Sequence, residues 1–341
     1  MIYLRVIAIC FCVFIAMNMP AFAAARELRV TLQLPPDSAL HQSVALFKTE
    51  VEKNSQGSLQ VKIFPSAQLY KAQEVREAVG SGAIEIGAVL LSEYVEIIPA
   101  SDIFALPFMF PSLGLLRAGT APGSPIRKPI DQAILKQANA QVLWWFSSGA
   151  GVALSKGEPV LTPTAIAGKK VRVSSSSLAE MVKLCGGEPI ETGGTEQYEL
   201  YKSGAVDIGL TSQNIIVARK LWEVMDTLTI TNHTQSEFLI LMHDKVWATL
   251  SADEQKIIGN AARHTEQVSR DAAEQVSRDD LTIARQHGMK VVETAKEHAD
   301  AWKHCATPML SGYLSRSGRL GQQVMDGYRK ALIEAYRTPQ R

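Results

Sequence analysis

Apolar and polar residues alternate along Leu28–Leu34 and again at Leu59, Val61 and Ile63, with Gln60 and Lys62 between them. A period of two predicts half-buried strands. Between these segments Leu40, Val44, Phe47 and Val51 fall at helical spacing, and the run stops before Gly57, which predicts a helix with one buried face. A short helix over Gln73–Val79 then leads through Gly80-Ser81-Gly82 into the apolar run Ala83–Leu91. Strand and helix alternating at short spacing predict parallel βαβ units, an α/β fold. Further on, a strand at Lys170–Val173, a helix over Ser177–Leu184, a turn at Gly186-Gly187, a helix over Thr195–Lys202 and a strand at Ala205–Leu210 repeat the same logic.

Two stretches are near copies. SGAIEIG (Ser81–Gly87) and SGAVDIG (Ser203–Gly209) differ only by Ile/Val and Glu/Asp. Each reads as a helix stop, a glycine and a strand, and the pair supports two similar lobes. Ligands of parallel α/β sheets sit beyond the carboxyl ends of strands, so Ala88–Ser92 and Leu210–Gln213 become candidate contact segments. The equivalence puts Val89 and Thr211 at matching points facing the cleft, and only Thr211 has a hydroxyl to offer a ligand oxygen.

The C-terminal third changes character. Ser251-Ala252-Asp253-Glu254 is a capping box, and Ile257, Ala261, Val268, Ala272 and Val276 trace an apolar stripe in a charged helix reaching toward Gly288. At 1.5 Å per residue such a helix spans ~45 Å, enough to lie across two lobes as a strut, with a coiled-coil seam as the alternative reading.

Charge and composition narrow the class. The chain carries 35 Lys+Arg against 34 Asp+Glu, and near-neutrality argues against nucleic acid as a partner. The opening MIYLRVIAICFCVFIAMNMPAFAAA has one positive charge, an apolar run and the small-x-small pattern Ala21-Phe22-Ala23, which reads as a cleaved signal peptide over residues 1–23 and places the mature protein in the periplasm. Of four cysteines two leave with that segment, so Cys185 and Cys305 remain, with one bridge as an open question.

Catalytic signatures are missing: there is no GxSxG, HExxH, GxxxxGK[ST] or GxGxxG opening a helix after a strand. The seven histidines lack metal-ligand spacing. No enzyme, no cofactor and no metal are expected. Trp144-Trp145 ends a strand predicted over Gln141–Phe146; one ring faces each side, so one belongs to the core and the other, taken as Trp145, is a candidate pocket floor. Arg172 alternates with Val171 and Val173 and so faces away from them, as a solvated arginine or as a binding group.

Six segments in order then carry a resemblance: FPSAQL (Phe64–Leu69), GAIEIG (Gly82–Gly87), IFALPFMFPS (Ile103–Ser112), TPTAIAGKKVRV (Thr162–Val173), TEQYELYKSGAVD (Thr195–Asp207) and KVWATLSADEQKII (Lys245–Ile258). Together they resemble the solute-binding subunit of tripartite ATP-independent periplasmic (TRAP) transporters over nearly all of the mature chain. The resemblance implies a two-lobed periplasmic binding protein fold of type II-like form, with hinge strands between lobes and a long C-terminal helix spanning both. It implies that Arg172, the arginine of the K-x-R-V strand, meets a ligand carboxylate, where a guanidinium can give two parallel hydrogen bonds.

The family's second arginine falls at Gly151, its contact after the Val-Asp strand at Thr211, and the acidic residue that helps hold a cation in keto-acid-binding members at Leu210. One grip suggests a monocarboxylate and no bound metal. Ser212, Gln213, Ser92, Trp145, Ser148 and Gly151 complete the candidate contacts. The expected division is 26–148 plus 238–275 for lobe I and 149–236 plus 276–341 for lobe II, hinged near Ser147–Val152 and Thr231–Glu237. The expected partners are a small carboxylate and the membrane permease, the protein acting as a monomer with a dimer as the alternative. A sensory role at a membrane receptor, or an exported enzyme on the same fold, are the rival functions.

Overall fold

The computed structural model describes residues 25–337, so the signal-peptide reading of residues 1–23 lies outside the described residues. Among the described residues there are ten strands: β1 (Arg26–Thr31), β2 (Leu59–Phe64), β3 (Ile86–Leu90), β4 (Ala140–Ser155), β5 (Lys170–Val173), β6 (Glu188–Glu191), β7 (Ile208–Ser212), β8 (Thr227–Ile230), β9 (Gln235–His243) and β10 (Lys290–Glu293). In the first lobe β2, β1 and β3 run parallel, and β9 and the first part of β4 complete the sheet antiparallel. The second lobe repeats the plan with β6, β5 and β7 parallel and the last part of β4 antiparallel to both β7 and β8. β10 closes that edge beside β8.

One strand therefore serves both lobes. β4 pairs with β9 as far as Ala150, opposite Gln235, and from Gly151 onward with β7, opposite Ser212. Its register slips between Ser147 and Ala150, where Gly149 adopts φ +86°, a conformation open to glycine at little cost. The return crossing is the segment from β8 to β9.

The seven-residue copies fold alike. Gly82 and Gly204 both end helices in the left-handed region, at φ +80° and +71°. Glu85 accepts from the backbone N–H of Arg29 at 2.9 Å, and Asp207 from that of Lys170 at 2.8 Å, so each acid pins a neighbouring strand, at the middle of β1 and the start of β5. A Cβ on Gly87 would stand 2.6 Å from Val75 Cγ1, and one on Gly209 1.8 Å from the Tyr201 hydroxyl, so both glycines admit a helix side chain onto the sheet. Val89, in contrast to the expectation, is core: it is 1% exposed and packs within the first lobe.

The helix Ala252–Gln286 runs 35 residues from its Ser251/Glu254 capping box and packs on the helix Ala39–Asn54, on β4 and on the helix Gln213–Ala218, touching both lobes. Glu266 on it forms a buried ion pair with Arg127. The helix Lys296–Ala306 belongs to the second lobe: Trp302 Nε1 donates to Leu161 O at 2.9 Å, and Cys305 is disulfide-bonded to Cys185. The expected division is corrected at its C-terminal end. The final helical stretch Pro308–Arg337, interrupted at Gly318, returns to the first lobe. There Tyr313 donates to Ala100 O at 3.2 Å and the Tyr328 ring meets Phe110 edge-on.

Candidate functional site

Between the lobes lies a cavity of about 80 Å³. The first lobe lines it with Leu90–Ser92, Asp102 and Phe104, the second with Arg172, Ser174, Ser175, Thr211, Ser212 and Arg219, and the returning hinge with Thr234–Phe238. The lobes touch across it. Ser177 of the second lobe donates to Asp102 of the first. Arg316 of the C-terminal helix lies 3.5 Å from Asp102 and 3.3 Å from Glu180, bridging the two. Gly193 has no Cβ to hold off Gln73, whose Nε2 would be 2.6 Å from one.

Arg172 sits between β7 and β6, opposite Gly209 and Ile190, and is only 2% exposed. The sequence alternation is right about direction: Val171 and Val173 enter the apolar core while Arg172 turns into the cavity. Neutral oxygens hold it. Nε donates to Thr192 Oγ1 at 3.2 Å, Nη2 to Thr192 O at 2.8 Å and Gly193 O at 3.1 Å, and Nη1 to Leu210 O at 3.3 Å. No carboxylate forms a salt bridge with it among the described residues, and burial pulls its pKa below the usual arginine value. In this arrangement these bonds engage the donors that the expected two-bond fork would use.

Other ionisable groups show the same dryness. Burial brings Arg219 down to about 10, with Arg172 as the next contributor. Burial also pushes Glu237, on β9 where the lobes join, up to about 8, although Ser147, Arg270 and Arg127 pull the other way. Asp102 is raised by its burial, and His233, whose Nδ1 meets Thr231 Oγ1 at 2.6 Å, is lowered to about 4.

Of the expected contacts, Arg172, Thr211, Ser212 and Ser92 line the cavity together. Four do not. Trp145 is core: its Nε1 donates to Asp131 at 2.8 Å, its ring meets Phe104, and Arg127 lies 5.3 Å over it. Ser148 is tied to Asn214 and Ser212. Gln213 turns to the long helix and donates to Ser277 Oγ at 2.9 Å. Gly151 faces His233, whose Cε1 would be 2.6 Å from a Cβ there, so the glycine serves hinge packing. Sequence reasoning missed Thr192, whose oxygens hold Arg172 together with the carbonyl of Gly193, and Arg219, which nothing in its local pattern marks.

A larger cavity of about 460 Å³ lies against the long helix, lined by Ser147–Ala150, Gln213 and Asn214 and by the acids Glu274 and Asp280, with no lysine or arginine. Its charge disfavours an anion. Among the described residues no cluster of three or more His, Cys, Asp or Glu could hold a metal ion.

Comparison with known proteins bears on this geometry. The C4-dicarboxylate-binding periplasmic protein of Rhodobacter capsulatus is 24% identical over 308 residues, covering 89% of this chain and 91% of its own. A sugar-acid-binding protein of Advenella mimigardefordensis, solved with galactonate, superposes with a TM-score of 0.84 at 26% identity, covering 90% of this chain and 99% of its own. A Bordetella pertussis extracytoplasmic solute receptor binding pyroglutamic acid gives 0.85 at 23% identity, over 89% of this chain and all of its own. The family described as bacterial extracellular solute-binding protein, family 7 (DctP), matches residues 31–316. With the family model matched over most of its length, the chain belongs to this family, as a solute-binding protein of TRAP transporters.

Proposed function

We propose that the protein captures a small organic acid in the periplasm, closes its lobes over it and delivers it to a TRAP-type membrane permease. The observation that carries this reading is Arg172, a buried cation held by carbonyls and a hydroxyl with no carboxylate of the protein against it. A buried charge without a counter-charge is costly, and an anionic ligand supplies the missing partner. The ligands named for the relatives, C4-dicarboxylate, galactonate and pyroglutamate, are all acids. Closure follows from differential affinity: Arg172 and Thr211 lie on one lobe and Leu90–Ser92 on the other, so a bound acid completes its contacts only when the lobes meet.

The finer expectation of a monocarboxylate rests on Gly151 standing where a second arginine would be. Arg219 weakens that ground by bringing another guanidinium to the same cavity, so the proposal here is an organic acid without a count of its carboxylates.

A thermal-shift panel of galactonate, pyroglutamate, succinate and butyrate, followed by calorimetry on Arg172→Ala, tests the reading. A ligand present at 100 times its Kd stabilises by about 2.7 kcal/mol, and removing Arg172 is expected to weaken binding by roughly 2–5 kcal/mol in a protein that stays folded. Binding by Arg172→Ala within three-fold of the parent would overturn it.

A further inference from the structure

Arg172 has five N–H groups, and Thr192, Gly193 and Leu210 take four of them. The hydroxyl of Tyr201 also hydrogen-bonds the guanidinium, so the donors of Arg172 are taken up within the protein. A two-bond fork onto a carboxylate needs two neighbouring N–H groups on one edge, which Arg172 cannot offer while these bonds stand.

Arg219 is placed the other way. It comes directly after the helix Gln213–Ala218, lines the same cavity, and its Nε is enclosed with no hydrogen-bond partner. Its Nη2 lies 2.8 Å from where a Cβ on Gly194 would be, while Arg172 binds the carbonyl of Gly193. The two guanidiniums therefore lean on adjoining residues of one two-glycine turn. Like charges so placed repel in a dry site. The acid acting on both, Glu196, is exposed on the helix edge and forms an ion pair with neither among the described residues.

We propose that Arg219 is the other half of the anion grip: one ligand carboxylate lies between the two guanidiniums, taking a two-bond fork from Arg219 and the charge of Arg172. The inference rests on the organic-acid reading above and assigns the fork to a residue outside the K-x-R-V strand. The glycine at 194 then has a reason, because any side chain there would displace the Arg219 guanidinium.

Calorimetry on Arg219→Gln and Arg219→Lys, using the panel acids that bind the parent with butyrate and succinate as the matched mono- and diacid, tests it. Arg219→Gln is expected to lower affinity about a hundred-fold for monoacids and diacids alike. Arg219→Lys should lose about ten-fold, since an ammonium keeps the charge but not the planar fork. The ligand-free melting temperature of Arg219→Gln should be no lower than the parent's, because a repulsion has been removed. Affinity within three-fold of the parent overturns the inference, as does a loss confined to diacids, which would give Arg219 a second carboxylate of its own. With Arg172→Ala inactive beside it, either result leaves the organic-acid reading standing. A parent that binds no panel acid, or variants of both arginines that bind as the parent does, removes both. Should Arg219→Gln fail to fold, Arg219→Lys decides.

Discussion

In both lobes the seven-residue unit ends a helix on a left-handed glycine, pins a neighbouring strand through a carboxylate and seats a helix side chain on a second glycine. Two residues later the lobes part: Val89 is enclosed in the core, whereas Thr211 lines the cavity. The segment after each strand makes the difference. Beyond β3 the short helical turns Leu91–Tyr94 and Pro99–Phe104 fold back over the sheet end, while β7 passes directly into the helix Gln213–Ala218. A repeated sequence thus fixes the backbone of a unit, and its neighbours decide whether the unit supplies core or site.

The largest expected contrast is at the second glycine. Gly209→Ala puts a methyl 1.8 Å from the hydroxyl and 2.2 Å from Cζ of Tyr201, a buried ring beside Arg172. A rigid ring cannot give that much, so urea denaturation should register a loss of about 3 kcal/mol, with acid binding lost as well. Gly87→Ala meets the methyls of Val75 and Val79 at 2.6 and 2.7 Å and should cost about 2 kcal/mol with binding intact in the folded protein. Equal losses of stability and affinity in both variants would break the comparison.

Exchanging the diverging residues sharpens it. Val89→Thr buries a hydroxyl among apolar side chains and is expected to cost about 1–2 kcal/mol of stability, with affinity unchanged by calorimetry. Thr211→Val should do the converse, weakening binding by about 1 kcal/mol while the melting temperature barely moves. Unchanged affinity in Thr211→Val would shift the second-lobe contact to Ser212.

The carboxylates give the smallest effect. Burial alone would raise Glu85, but the side-chain and backbone hydrogen bonds of Arg29 outweigh it and hold Glu85 below its ordinary value. A folded-state pKa below the unfolded one means the stabilisation is present above the unfolded value and lost as pH falls through the folded one. Glu85→Gln should therefore cost about 1 kcal/mol at neutral pH, a difference that fades once the pH falls below the ordinary glutamate range and the parent's own carboxylate protonates. Asp207→Asn, which loses a single charged acceptor for Lys170 N, should cost roughly half that. Melting curves from pH 7 downward would separate the two, and a Glu85→Gln deficit that persisted unchanged in acid would rule the charge out as its source.

The elements with clean periodicity are legible from sequence: the first two strands and the helix between them, the capped long helix, and the face on which Arg172 lies. From sequence β4 ends at Phe146, because Ser147-Ser148-Gly149-Ala150-Gly151 has no alternation; its continued pairing comes from partners on both lobes. Trp145 resembles a pocket floor because its polar nitrogen needs a partner, and only the fold reveals that Asp131 provides it. Gly151 looks like a missing arginine because nothing local announces His233 against it. Arg219 carries no signal, since a charged residue at a helix end is ordinarily solvated and its approach to Gly194 is made by tertiary packing alone.

The return of the last helix to the first lobe sets an order of assembly. A polypeptide emerges from its N-terminus, and domains fold as units as they appear. The second lobe, with its disulfide between Cys185 and Cys305, has both cysteines in hand before residue 308 is reached. The first lobe starts earliest but waits for Tyr313 and Tyr328 to cover Ala100 and Phe110. Its pairing with the chain end spans 213 residues for Tyr313 and Ala100 alone, so the half that begins first finishes last. An open first lobe, apolar on the side the C-terminal helix will cover, is thus the species that a growing or translocating chain must keep from aggregating until its final thirty or so residues arrive.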